Sequence, residues 1–228
     1  MKTNILQKIL TASISGGLLF SLFLLQGCNE DKKKWELSVE VINSTSNQPF
    51  SPITVLTHDD EYTPYALGSS ASAALETLAE SGDNNAFLDD KDVSDSASGT
   101  GILAPGSSET VMVKSKHKAR NLSLLTMLVN TNDGFAGLNS IDLSGLEKDE
   151  SLTFHARVYD AGTEGNSETA ADIPGQGGEG FNAGRDDSDF VAVHAGVVSQ
   201  DDGLTTSALD GSHRFDNPGA KIIITRIK

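Results

Sequence analysis

The chain has 228 residues and a formal charge of −15, from 17 Lys and Arg against 32 Asp and Glu. That length fits one domain with short appendages, and the acidity excludes nucleic acid as a direct partner while suiting cations and basic surfaces. Hydrophobic residues at 37 %, 22 glycines and a single Cys predict a loop-rich, short-stranded fold and exclude a disulfide framework or a Cys-rich zinc site.

The first segment reads as an address. Lys2 and Lys8 precede an almost uncharged apolar run that ends at Gly27. A basic start, an apolar stretch and a small residue at the cleavage point describe a secretory signal over residues 1–27. Leu25-Gln26-Gly27-Cys28 resembles the lipobox of bacterial lipoproteins. The resemblance implies cleavage after Gly27 and lipid on Cys28, with residues 28–34 as the lipidated Cys and a polar tether. Asn29 after that Cys resembles the pattern sent on to the outer membrane. The expected location is the bacterial cell envelope, lipid-anchored at the outer membrane, with the membrane a partner only through the lipid on Cys28. Multiple acyl chains hold a protein stably where one does not.

Residues 35–228 are expected to form one domain. Trp35 to Ile42 alternates strictly, with Trp35, Leu37, Val39 and Val41 on one face and Glu36, Ser38 and Glu40 on the other, which predicts a half-buried strand. Residues 43–49 form a turn cluster, and residues 53–58 a second strand. Residues 69–80 predict the one clear helix, capped by Ser69 or Ser70 and stopped by Gly82, with Leu75, Leu78 and Ala79 as its apolar stripe. Residues 83–101 read as acidic, Ser-rich loop with at most one helical turn. Strands are predicted at 110–114, 122–129, 152–159 and 190–197, separated by long acidic loops at 160–189 and 201–218. Residues 220–227 close the chain as a central strand, because they are apolar on both faces. These elements predict an all-β fold, an antiparallel β-sandwich of about eight strands with one short helix and long acidic loops.

Several segments share a further pattern. Ser51-Pro52-Ile53 to Thr57-His58 is followed by the helix Gly68-x-x-Ala71-Ser72-x-x-Leu75-Glu76-x-x-Ala79-Glu80-x-Gly82. Asp133-Gly134-Phe135-Ala136-Gly137-Leu138 looks like a D-W-x-x-G-L segment, and Asp160-Ala161-Gly162-Thr163-Glu164 like D-A-G-T-D. In order and spacing these resemble the spondin N-terminal domain family, from about Trp35 to the C-terminus. The resemblance implies an eight-stranded antiparallel sandwich similar to calcium-dependent phospholipid-binding domains, with a calcium ion held by loop aspartates. Animal members are extracellular matrix and adhesion proteins, and bacterial members are usually single-domain exported proteins. This chain departs from the pattern in lacking the family's cysteines, in Gly134 where animal members have Trp, and in Glu164 for the second Asp.

The carboxylates at the strand ends carry the candidate chemistry. Asp160 closes a predicted strand, Glu164 follows across an Ala-Gly-Thr turn, and Asp133 sits in the Thr-Asn-Asp-Gly turn after another strand. If those strand ends are neighbours, three carboxylates converge and repel one another unless one takes a proton or a hard cation resolves the conflict. Spacing alone leaves solvated turn acids as the alternative; the resemblance favours one calcium ion on Asp133, Asp160 and Glu164. Asp186, Asp187 and Asp189, and Asp201 and Asp202, are weaker candidates for a second ion. Gly175 to Gly180 matches GxGxxG but follows no strand and opens no helix, so it does not predict a dinucleotide site. The five His are scattered, and the zincin, nucleophile-elbow and phosphate-loop spacings are absent. His58-Asp59-Asp60 is the only hint of a hydrolytic constellation, and no catalytic residue is assigned.

The expected function is therefore a calcium-binding, envelope-anchored lipoprotein, a non-enzymatic module that binds an extracellular glycan or protein ligand in adhesion. The alternatives are a hydrolase of envelope or extracellular polymers, and a purely structural lipoprotein.

Overall fold

Trp35–Asn43 (β1) is a strand because its apolar residues recur every second position, and Leu37, Val39 and Val41 are all buried. The computed structural model describes residues 34–116 and 120–228; residues 1–33, and with them the predicted signal segment and Cys28, lie outside the described residues. β1 pairs antiparallel with Ser108–Ser115 (β4) on one side and with the C-terminal strand Ala220–Arg226 (β9) on the other. β9 in turn pairs with the first half of Ser151–Asp160 (β7), so it is central, as its composition predicts. These four strands make the first sheet.

The second sheet runs Asp95–Ser98 (β3), Thr54–His58 (β2), Asn121–Met127 (β5), Gly134–Asp142 (β6) and the second half of β7, with Ala192–Val193 (β8) on the end of β7. All pairings are antiparallel. β7 thus belongs to both sheets: residues 151–156 pair with β9 and residues 157–160 with β6. On the other side the edges β3 and β4 meet, with the Lys114 N–H on Asp95 Oδ2 and the Thr57 hydroxyl on Lys114 O, each at 2.8 Å. The result is a nearly closed antiparallel sandwich of nine strands, in line with the predicted all-β fold.

The main core lies between the sheets, with Val39, Val111, Ile222 and Ile224 facing Val55, Leu122, Leu124 and Leu138. A second core covers the outer face of the second sheet. There Leu75 and Leu78 of the helix Ala73–Ser81 (α1) and Phe87 of Asn85–Leu88 (α2) pack on Leu56, Leu125 and Phe135. β2 and β5 are therefore buried at every position, on both faces. Among the described residues no helix is long and apolar enough to cross a membrane.

Four local expectations are corrected. α1 starts at Ala73, not Ser69, with Ser72 accepting the Leu75 N–H at 3.2 Å; Gly68 and Ser69 lie instead in a turn, Gly68 at φ 76°, tied by backbone hydrogen bonds to Val191. Gly82 ends the helix in the left-handed conformation as predicted. The Ser-rich loop contains β3, and the unpredicted β6 follows Asp133 directly. Of residues 190–197 only two are strand, because Val191 pairs with Ser69 and Gly196 turns the chain at φ 91°.

Candidate functional site

Two turns meet at one end of the second sheet. β5 runs on through residues 128–133 and returns as β6, while β7 ends at Asp160 and continues as Ala161-Gly162-Thr163-Glu164. Gly134 is paired with Asp160 in the β6–β7 register, and the Ala161 N–H donates to Asp133 O at 3.2 Å. The neighbouring strand ends that the convergence requires are thus present. Thr131 shapes the first turn, its hydroxyl donating to Leu128 O at 2.7 Å and accepting the Gly134 N–H at 2.9 Å. A Cβ on Gly134 would stand 2.5 Å from that hydroxyl, so Thr131 closes the place where a Trp would begin. In the second turn Gly162 has φ 72°, and a Cβ there would lie 2.4 Å from Phe190 O. Only glycine fits both demands.

Asp133 is fully buried. Its Oδ2 accepts the Thr163 N–H at 2.8 Å, the Glu164 N–H at 3.2 Å and the Thr163 hydroxyl at 3.3 Å. Its Oδ1 is buried with no partner among the described residues. Burial and the neighbouring Asp160 charge push the Asp133 carboxyl up to about 7, against the three donors. Asp160 accepts the Gly162 N–H on Oδ1 and Asn166 Nδ2 on Oδ2, each at 2.8 Å. Glu164 is 8 % exposed, and burial followed by the charges of Glu80, Asp133, Asp172 and Asp186 pushes it up to about 8.

Glu80 is the member that sequence reasoning missed. It is 1 % exposed at the end of α1, with Oε2 accepting the Asn182 N–H at 2.9 Å and Oε1 unpartnered among the described residues. The available signal is Glu76 and Glu80 standing four apart on the helix, beside the Leu75, Leu78 and Ala79 stripe. Glu76 is neutralised by Arg185, whose guanidinium bridges it to Asp189 with both N···O distances at 2.6 Å. Asn132, also fully buried, leaves its Oδ1 without a donor from the described residues.

The weaker candidates are placed otherwise. Asp189 is paired with Arg185, Asp201 accepts the Gly211 N–H at 2.8 Å, and Asp202 caps Ser199 and pairs with Arg214. Asp187 is exposed, and Asp186 accepts the Gly165 N–H at 2.7 Å beside the first site. His58 Nε2 is 2.8 Å from Ser123 Oγ, but both residues are 0 % exposed, and Asp60 is on Asn121 instead. Pro174–Gln176, at the start of the GxGxxG match, is a 3-10 turn that leads into loop.

The site is an all-oxygen, acceptor-rich cluster with a buried carboxylate oxygen that none of the described residues satisfies, which is the chemistry of a hard cation. Among the described residues no three His, Cys, Asp or Glu side chains already stand as a metal cage.

Fold and site define an antiparallel β-sandwich that gathers carboxylates on the loops at one end, the architecture of an extracellular-type binding module. The family model Spondin_N matches residues 42–180, more than half of the chain, and the chain belongs to the Spondin_N family. That family is a non-catalytic domain of extracellular-type binding and adhesion modules. No curated protein matches the chain.

Proposed function

We propose that this protein is a calcium-binding, envelope-anchored lipoprotein that acts as a non-enzymatic extracellular binding or adhesion module. The observation that carries the calcium reading is Asp133 Oδ1, a buried carboxylate oxygen without a donor among the described residues, beside the carboxyls of Asp160 and Glu164. Burying charge unpaired is costly, and a hard divalent cation removes that cost. Asp133, Asp160 and Glu164 would hold the ion, which would neutralise them and tie the two turns together. Calcium suits this set better than magnesium, which demands a tight octahedron. Because the carboxylates do not already form a cage, binding has to draw the Asp160 and Glu164 side chains inward.

The lipobox-like segment supports a lipid on Cys28 and display at the bacterial outer membrane, where the ligand would be an extracellular glycan or protein. Hydrolysis is disfavoured, since the His58–Ser123 pair found among the described residues is sealed in the core. Thermal unfolding of the full chain in calcium, magnesium and chelator tests the metal. Calcium at 100 times its dissociation constant should stabilise by about 2.7 kcal/mol. Equal unfolding in calcium and chelator overturns the metal reading. A glycan and matrix-protein array, with and without calcium, separates a binding module from a purely structural lipoprotein.

A further inference from the structure

A cleft of about 320 Å³ opens over Glu164. That is at the low end of small-molecule sites, ~300–1,000 Å³, and far more room than one bare ion fills. Its lining includes Asn132, Glu164, Asp172, Glu179 and Asp186, and no lysine or arginine of the described residues lines it. Asp186 gives Oδ1 to the Gly165 N–H, and Asp172 gives Oδ2 to the Thr169 hydroxyl. The second oxygen of each accepts nothing from the described residues. Asn132, although fully buried, leaves its side-chain oxygen unpartnered. The cleft therefore presents acceptors around its wall and asks for a ligand made of donors.

The chain itself shows what such a lobe receives. On the adjoining face the Arg185 guanidinium spans Glu76 and Asp189 and also donates to Ala71 O at 2.8 Å. One planar group with five N–H donors satisfies three separate acceptors there. The cleft over Glu164 has the same carboxylate-rich composition and lacks its arginine.

We propose that this cleft receives the guanidinium of an arginine side chain presented by a partner protein, so that the module recognises a basic surface. The inference rests on the binding-module reading and names the chemistry of its partner. A guanidinium has no acceptor and five donors, matching the carboxylates that dominate this wall; a lysine ammonium offers three donors at one point and spans fewer of them.

The test is titration of the full chain, in chelator, with N-acetyl-L-arginine amide, following the side-chain amide signals of Asn132, Asn166 and Asn182. Saturable millimolar binding is expected, with N-acetyl-L-citrulline amide, its uncharged counterpart, binding about tenfold more weakly or worse. The double variant Glu179→Gln/Asp186→Asn should also weaken arginine binding by about tenfold or more, since charged hydrogen bonds are lost. Glu61→Gln, an exposed acid away from the cleft, should leave it unchanged. Citrulline binding as tightly as arginine, or a double variant that binds like wild type, overturns the proposal. A calcium response without arginine binding removes this inference and keeps the metal; arginine binding without a calcium response does the reverse.

Discussion

Asp133 holds Thr163 through two bonds to one oxygen, the backbone N–H at 2.8 Å and the hydroxyl at 3.3 Å, both on Oδ2. The carboxylate proposed to bind a cation is therefore also the clamp that sets the shape of the second turn. Its other oxygen is what the clamp leaves over.

Asp133→Ala should accordingly have two effects. In chelator it should destabilise the chain by about 2 kcal/mol, the loss of charge-assisted hydrogen bonds offset by removing an unsatisfied oxygen. In calcium it should lose the stabilisation expected of wild type. Asp160→Ala should lose the calcium response as well. Thermal unfolding of both variants with and without calcium measures this, and a variant that keeps the full calcium shift is not a ligand.

The cation-free site should make stability depend on pH in an unusual direction. Glu164 is raised from 4.5 to about 8 and Asp133 from 3.8 to about 7. The folded chain then holds protons that the unfolded chain has released. That contribution is complete below the unfolded values and is lost as pH rises through the folded ones, so in chelator stability falls between about pH 4 and pH 8. Glu164→Gln should flatten the fall, and saturating calcium should abolish it. Melts across this range that are flat or rising in chelator would contradict the burial of these charges.

Arg185 should be structural as well as electrostatic. Removing it by Arg185→Ala leaves Glu76, at 8 % side-chain exposure, without its partner. The cost should be about 2–3 kcal/mol, because an uncompensated, nearly buried charge remains. Glu76→Gln in the same chain should recover part of it, and a double-mutant cycle in urea reads the coupling. Strict additivity of the two substitutions would sink the claim.

Gly162→Ala should cost about 2 kcal/mol or more, since an L side chain is strained at that φ and its Cβ meets a backbone carbonyl. The same substitution at Gly177, also at positive φ but with open space around it, should cost only the backbone strain, about 1 kcal/mol. Equal losses at the two positions would show that Phe190 yields freely.

Anchoring is checked by metabolic labelling with a fatty acid. Wild type should carry the label and Cys28→Ser should not. Equal labelling of the two removes the lipoprotein reading.

The strands legible in the sequence either alternate, with one wet and one dry face, or are largely apolar because both faces are covered, as in β2 and β5. β1 alternates because only its inner side meets the core. β6 breaks the pattern, with Gly134, Gly137, Asn139 and Ser140, for reasons that lie elsewhere in the chain. A Cβ on Gly137 would stand 2.8 Å from Tyr65 Oη, and Gly134 makes room for Thr131. The three predicted acids were legible because turns between strands advertise themselves. Glu80 was not, since an acid on the buried face of a helix makes sense only once Asn182, 102 residues further on, supplies its N–H.

The strand shared by the two sheets has a mechanical consequence. Ser151 at the start of β7 pairs with Thr225, Arg226 pairs with Leu37, and Trp35 opens β1, so these lie together at one end of the sandwich. Asp160 closes the same β7 nine residues on, about 30 Å away at ~3.3 Å per residue. A pull between Trp35 and Asp160 therefore runs along the strands. Force in that direction shears the β1 pairings with β4 and β9 all at once, where a pull across the sheet would open them one by one. A module anchored before Trp35 and gripping its ligand at the Asp160 end is loaded in the direction in which its sheets resist most.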